Sequence, residues 1–389
     1  MRFLHTADWH LGRIFQGVSL TEDQAFVLEQ LVEIVARAQP DAVVLAGDVY
    51  DRAVPPPEAV RLFDDVMARI VRGLDVPVLA IAGNHDGPER VDYGSRLLEA
   101  RGLHVRGVLR PALEPVVLLD EHGPVAFSLL PFAEPAVVRE QLLEDLPHRQ
   151  ALSHGRALAH MIQQARARLP AGVRSVCVAH AAVVGAHETE SERPLWVAAS
   201  GYAETELFAG FHYTALGHFH TPQTVSERPC VEYAGSLLKY SFAEAGTDKS
   251  VTLVDLDARG QVRLERIPLR PRHDVQCVAG TFEELLERLP EGACAQDYLR
   301  VTLADKEPVL DAMARLRRVY PNCLHVEQPQ LYVPSPDARA RREQIGLDDA
   351  ELFAAFFEEM AGAPLTDEES ACYRDVVASL DRREREKAA

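Results

Sequence analysis

The run Ala42-Val43-Val44-Leu45-Ala46-Gly47-Asp48-Val49-Tyr50-Asp51 decides the fold. Five apolar residues in succession read as a strand buried on both faces, as in a sheet covered by helices. Gly47 lets the backbone turn sharply where that strand ends, and Asp48 then stands at the sheet edge. Four more segments follow the same plan. Asp8-Trp9-His10 comes after Arg2-Phe3-Leu4, and Gly83-Asn84-His85-Asp86 after the apolar run Val76–Ala82. His180 closes Val173–Ala179, and Gly217-His218-Phe219-His220 follows Phe211–Leu216. Oxygen and imidazole ligands at the ends of buried strands can converge on one edge of a sheet and hold two metal ions.

Asp8 and His10 are two apart, so in an extended segment their side chains point the same way. His218 and His220 repeat that spacing, and Asn84 supplies a neutral carbonyl oxygen. The candidate ligands are therefore Asp8, His10, Asp48, Asn84, His180, His218 and His220. If Asp48 bridges, each ion receives four of them and keeps open positions for water and substrate. Mixed oxygen and nitrogen ligation suits Mn²⁺ or Fe²⁺ and admits Zn²⁺; Mg²⁺ prefers fewer imidazoles. His85 lies beside a ligand but on the other side of the backbone. It is free to act as a general acid towards the leaving oxygen, or to stabilise charge on the scissile phosphate. Asp51 can orient and charge His85; its plain alternative is a turn residue.

The order of the five segments, each at a strand end, resembles the calcineurin-like metallophosphoesterases over roughly residues 1–265. Within that superfamily His5-Thr6-Ala7-Asp8-Trp9-His10-Leu11-Gly12, Ser191-Glu192-Arg193-Pro194-Leu195, and Tyr233-Ala234-Gly235-Ser236 followed by Ser241-Phe242-Ala243-Glu244 look like the SbcD family. These are the bacterial counterparts of the archaeal and eukaryotic double-strand-break repair nuclease. The resemblance implies one Mn²⁺ on Asp8, His10, Asp48 and His220, and a second on Asp48, Asn84, His180 and His218. It implies that His85 is catalytic with Asp51 behind it. It further implies a 3′–5′ exonuclease and a hairpin or single-strand endonuclease acting on DNA, a homodimer, and a complex with an SbcC-type coiled-coil ABC ATPase. Two other functions compete: a phosphodiesterase or phosphatase for small nucleotides, and a DNA-end tether with structural metals.

The chain has 389 residues, 47% hydrophobic and 26% charged, ordinary for a globular protein of two or three domains. No apolar run approaches the roughly 20 residues needed to cross a bilayer, so no membrane association is expected. The six cysteines show no C-x-x-C pair, which favours a reduced, cytoplasmic setting. The net charge of −18 argues against a surface that coats nucleic acid, although a dinuclear metal centre supplies local positive charge.

The expected fold is α/β: a two-sheet β-sandwich core flanked by helices over residues 1–268, a small α+β capping domain over 272–330, and a helical partner-binding segment over 338–389. Thr21 with Gln24 reads as a capping box for a helix to about Ala38. Glu58–Arg72 places Val60, Phe63, Met67 and Val71 on one stripe before Gly73. Thr281 with Glu284 caps a later helix, and Pro321 ends the next. Leu352, Phe353, Phe356, Phe357 and Met360 form an apolar face. Thr366 with Glu369 opens another helix carrying Tyr373, Val376, Val377 and Leu380. That face needs a cover, either the chain itself or a partner. Trp9 and Tyr50 read as packing support. Arg13, Arg90, Lys239 and Tyr240 neighbour the motifs, either touching phosphate or as solvated side chains, and His187 lies near the His180 loop.

Overall fold

A computed structural model describes residues 1–143, 152–192 and 201–329, together with 353, 354, 357, 364–366 and 369–373. Residues Met1–Leu303 and Val309–Glu327 form one compact unit. Two six-stranded sheets make its centre. The first runs Val262–Pro268, Ser250–Leu256, Arg2–Thr6, Ala42–Ala46, Val78–Ile81, Leu103–Arg106. The second runs Gln223–Glu227, Cys230–Tyr233, Tyr213–Gly217, Arg174–His180, Gly123–Leu130, Val116–Asp120. In the first sheet the four strands from Arg2–Thr6 to Leu103–Arg106 run parallel and the two at the other end pair antiparallel. In the second the four central strands are parallel and both outer pairs antiparallel.

The sandwich follows from which faces are apolar. Between the sheets, Phe3, Val44, Leu79 and Ile81 meet Phe127, Val176, Val178 and Tyr213 in one dry cluster. Phe3 sets its ring edge-to-face against Phe127 at 5.6 Å and Tyr213 at 5.5 Å, pairs worth about 1 kcal/mol each beyond their burial. The outer face of the first sheet packs on helices Thr21–Ala38 and Pro57–Met67. That of the second packs on His154–Ala167. Covered on both faces, the inner strands are buried along their whole length, as their unbroken apolar runs require.

Two helix readings need correction. The helix Thr21–Ala38 is present, but its N-cap residue is Leu20, without a side-chain cap, and Gln24 turns inward to serve the metal centre. On Pro57–Met67 the buried side chains are Ala59, Val66 and Met67, while Val60 is exposed. Of the expected stripe, Met67 is buried and Phe63 and Val71 pack partly buried against the core, so only Val60 is misplaced. The helix then widens into a π-turn over Ala68–Gly73 that also brings Ile70 inside.

After residue 272 the strands Val275–Gly280, Tyr298–Leu303 and Cys323–Glu327 form a parallel three-stranded sheet with helices Phe282–Glu287 and Ala312–Leu316. Its core holds Val278, Phe282, Leu285, Leu299, Val301 and Leu316. Thr281 and Glu284 form the expected reciprocal capping box, whereas the second helix stops at Leu316, well before Pro321. Residues Ala304–Pro308 and Gln328–Ala389 are a separate unit. There Thr366 and Glu369 cap each other, and Phe353 stacks on Tyr373 with centroids 4.2 Å apart. Leu352, Phe356, Met360, Val376, Val377 and Leu380 lie outside the described residues, as do Arg193, Pro194 and Leu195.

Candidate metal centre

All seven expected ligands lie at the C-terminal ends of parallel strands, where α/β sheets place their ligands. They do not reach the site in extended backbone. Asp8 (φ 52°), His10 (φ 46°), Asp48 (φ 48°) and His218 (φ 111°) all adopt left-handed conformations, each a local cost of about 1–3 kcal/mol. The loops are zipped together to hold these conformations. Asp8 N donates to Gly47 O (3.1 Å), His10 N to Asp48 O (3.0 Å) and Leu11 N to Val49 O (3.0 Å). The Asp8 carboxylate accepts the His218 N–H at 3.0 Å. Three glycines allow the approach. A Cβ on Gly47 would lie 2.3 Å from His180 Nδ1, one on Gly83 2.1 Å from Asp48 Oδ1, and one on Gly217 2.0 Å from Ala46 O.

The donor atoms fall into two groups joined by one carboxylate oxygen. His10 Nε2 and His220 Nε2 are 3.0 Å apart, and Asp8 belongs to the same group. On the other side Asn84 Oδ1 lies 2.9 Å from His180 Nε2 and 3.2 Å from His218 Nδ1. Asp48 Oδ2 sits between them, 3.6 Å from His10 Nε2 and 3.4 Å from His180 Nε2. Ligands at about 2.1 Å from one ion, at right angles, stand about 3 Å from each other, so these spacings fit two divalent ions. Asp8 also lies near Asp48 and His180.

Electrostatics agree with a cation-demanding pocket. Burial would raise the Asp48 carboxyl, yet His180, His10 and His85 around it hold it well below the usual range. Burial pushes His10 and His218 down, favouring the neutral imidazoles that ligate. Burial would also lower His180, but Asp48 and Asp8 outweigh it and raise it to about 9. A proton there balances carboxylates that a metal ion would otherwise balance.

The calcineurin-like phosphoesterase family matches residues 1–222, the segment that carries this centre. The chain belongs to that family. Residues 271–361 match a second family, described as the type 5 capsule protein repressor C-terminal domain. Over 384 residues the chain is 32% identical to the SbcD component of the nuclease SbcCD of Staphylococcus saprophyticus, covering 98% of each. It is 31% identical to the SbcD component of Staphylococcus epidermidis over 83% of this chain and 84% of that one. Within the phosphoesterases it is thus an SbcD-type nuclease, a metal-dependent phosphodiesterase whose chemistry uses divalent ions.

In this phosphoesterase further contacts hold two of the imidazoles and the loops that carry the other candidate ligands. The His180 Nδ1–H donates to Ala46 O (2.9 Å) and Ser191 Oγ meets His220 Nδ1 (2.6 Å), which leaves both Nε2 atoms facing the centre. Gln24 donates to His10 O and Trp9 O and accepts from Gly12 N. Asp86 accepts the N–H groups of Val49, Tyr50 and Gly83, tying the Asp48 and Asn84 loops together. Lys249 Nζ, paired with Glu244, donates to His220 O at 2.7 Å, and Glu192 accepts the His220 N–H at 2.8 Å. Ser191, Glu192 and Glu244 stand within the sequence motifs, but nothing in those motifs shows the work they do. The roles of Gln24, Asp86 and Lys249 are ones that sequence reasoning missed.

His85 is only partly buried, its ring 4.6 Å from that of His10. Its Nδ1 bonds the main-chain oxygen of Asp51 at 2.9 Å. The Asp51 carboxylate pairs with Arg13 at 2.8 Å and stands 3.7 Å from His10 Nδ1, within 4.8 Å of a His85 nitrogen as well, so the hydrogen bond that orients His85 comes from the Asp51 main chain. Among the other flagged residues, Lys239 pairs with Asp274 and Tyr240 donates to Trp9 O. Trp9 and Tyr50 pack on Phe63. Arg90 is exposed, and His187 is exposed and bonds Gln223 through its main chain.

Proposed function

We propose that this phosphoesterase cleaves phosphodiester bonds in DNA with two Mn²⁺ ions, as a 3′–5′ exonuclease and a hairpin or single-strand endonuclease. Asp8, His10, Asp48 and His220 would hold one ion, and Asp48, Asn84, His180 and His218 the other. The observation that carries the reading is the place of Asp48 Oδ2, 3.6 Å and 3.4 Å from the nitrogens of His10 and His180. When bound, the ions would polarise the phosphoryl oxygens and supply a water nucleophile at neutral pH. The residues do the rest. Asp51 O holds the Nδ1–H of His85, which leaves Nε2 to carry the proton that the departing oxygen needs.

The partner is an SbcC-type coiled-coil ATPase, in keeping with the name of the two staphylococcal relatives. Residues 1–268 would be the nuclease domain, 272–330 the cap and 338–389 the ATPase-binding segment. Tyr93 and Leu97, exposed by 86% and 82%, suit a homodimer interface. The described cysteines are all free and no described helix is long and apolar enough to cross a membrane, in keeping with a cytoplasmic setting.

The test compares Mn²⁺-dependent cleavage of linear and hairpin DNA with turnover of bis-p-nitrophenyl phosphate and cyclic nucleotides. Cleavage of DNA is expected, and His85→Ala should abolish it while two metal ions remain bound. Turnover of small esters without DNA cleavage would replace this reading by a small-nucleotide phosphodiesterase. Unchanged cleavage by His85→Ala would remove its catalytic role.

A further inference from the structure

We propose that a groove beside the metal centre, between Arg13 and Arg300, holds a second phosphodiester of the substrate strand, next to the one that is cut. This rests on the nuclease reading above. The groove has a volume of about 420 Å³ and is lined by Arg13, Gln16, Ser241, Arg300 and His325, with Glu190 as the one acidic residue among its described lining. It is one side chain away from the chemistry on both sides. Ser191, also in its wall, bonds metal ligand His220. Arg13 bonds Asp51, whose carbonyl holds His85.

Two polar groups in this groove are left without protein partners. Arg300 has no carboxylate within ion-pair distance among the described residues; its guanidinium lies 5.7 Å above the Phe242 ring, and its Nε is buried without a hydrogen bond. Ser241 Oγ is buried and unpartnered in the same way. Those two atoms are covered, so what can meet a strand in the groove is the terminal part of the Arg300 guanidinium, which has no hydrogen bond or ion pair among the described residues. An Arg held on an aromatic face, with its remaining N–H groups free, suits a phosphate oxygen. Phe15, Tyr240 and Phe242 are themselves buried and offer no open ring face for a base. The groove therefore recognises backbone and not sequence.

The test measures binding of a fluorescent single-stranded oligonucleotide to the metal-free full-length chain in EDTA, over a series of salt concentrations. Arg300→Gln should weaken Kd about 5- to 10-fold and reduce the slope of log K against log salt by about 0.7, while Arg300→Lys keeps most of both. Neutral methylphosphonate linkages placed one at a time should weaken wild-type binding at one linkage in particular, and that effect should vanish in Arg300→Gln. An Arg300→Gln protein with an unchanged salt slope, or one still sensitive to that neutral linkage, would overturn the proposal and leave Arg300 a packing element on Phe242. If Arg300→Gln does not fold, wild type decides alone: indifference to every neutral linkage overturns it. Failure of the nuclease reading is separate, and would show as wild-type chain with Mn²⁺ that leaves DNA intact.

Discussion

Lys249→Met tests the support behind His220. Lys249 and Glu244 form a buried pair, with side chains 4% and 0% exposed. Lys249 also donates to His220 O (2.7 Å) and Ser236 Oγ (2.9 Å), and Glu244 accepts the Tyr240 N–H at 3.1 Å. Methionine keeps the aliphatic length and removes the charge. It leaves Glu244 buried and unpaired, a loss that costs about 4 kcal/mol when one partner of such a pair is removed. For a unit of this size, at about 2.1 cal/mol/K per residue, that corresponds to a fall in Tm of roughly 6 °C. The second effect is local: without its donor, the His220 carbonyl shifts, and metal affinity should drop about 10- to 100-fold. Thermal unfolding in EDTA at pH 7.5 reads the first effect, and titration calorimetry with Mn²⁺ the second. Glu244 is held well below its ordinary range, by His220 and Lys249 against burial. Its stabilising share is therefore present above about pH 4.5 and lost only as acid reaches the folded value, so pH 7.5 keeps the pair intact. Adding Glu244→Gln should restore most of the lost stability, because the stranded charge is then gone. If Lys249→Met and the double variant melt within a degree of wild type, water reaches Glu244 and the pair is not the support described.

Three further outcomes follow from the same geometry. Asp86→Asn puts an amide N–H against one of the N–H groups of Val49, Tyr50 and Gly83; a loss of about 2 kcal/mol by denaturant unfolding is expected, and an unchanged midpoint would count against it. Gly83→Ala drives a Cβ to 2.1 Å from Asp48 Oδ1 and 2.4 Å from Asp48 N, so metal content by mass spectrometry should fall below two ions per chain while far-ultraviolet circular dichroism stays native. Asp120 bonds Arg174, which holds it below its ordinary 3.8 against burial. A lowered carboxyl gives stability above its unfolded pKa that is lost as pH falls below it. Asp120→Asn should therefore destabilise the chain by about 3 kcal/mol at pH 7 and flatten the loss of stability below pH 4; parallel pH curves for the two proteins would refute it.

The convergence of the seven candidate ligands was legible because each combines two local signals, an apolar run and a residue of ligating chemistry at its end. Even there the extended-strand argument for Asp8 and His10 reached the right pairing by the wrong geometry, since both residues have positive φ. What supports the ligands was much less legible. Gln24 sits three residues after Thr21 on a helix start, the place of a capping glutamine, but its amide is spent on Trp9, His10 and Gly12. A capping pattern does not reveal a loop that folds over it from outside the helix. Lys249 and His220 are 29 positions apart and meet because strand Ser250–Leu256 lies beside strand Arg2–Thr6, a pairing no short motif encodes. Asp51 was selected for its carboxylate, whereas the contact to His85 uses a carbonyl that any residue would supply. Side-chain type marks the candidate ligands; the main-chain contacts depend on the assembled fold.

The acidity of the chain then takes on a definite meaning. A protein of net charge −18 repels a polyphosphate over most of its surface, so binding concentrates where the charge is locally reversed. Asp8 and Asp48 bring two negative charges to the centre, and two divalent ions would exceed them by two. Arg13 is matched by Asp51, which leaves Arg300 as the cation of the adjoining groove without an ion-pair partner among the described residues. If the groove holds a phosphodiester as proposed, Arg300 would be the charge that favours a strand there over the rest of an acidic molecule.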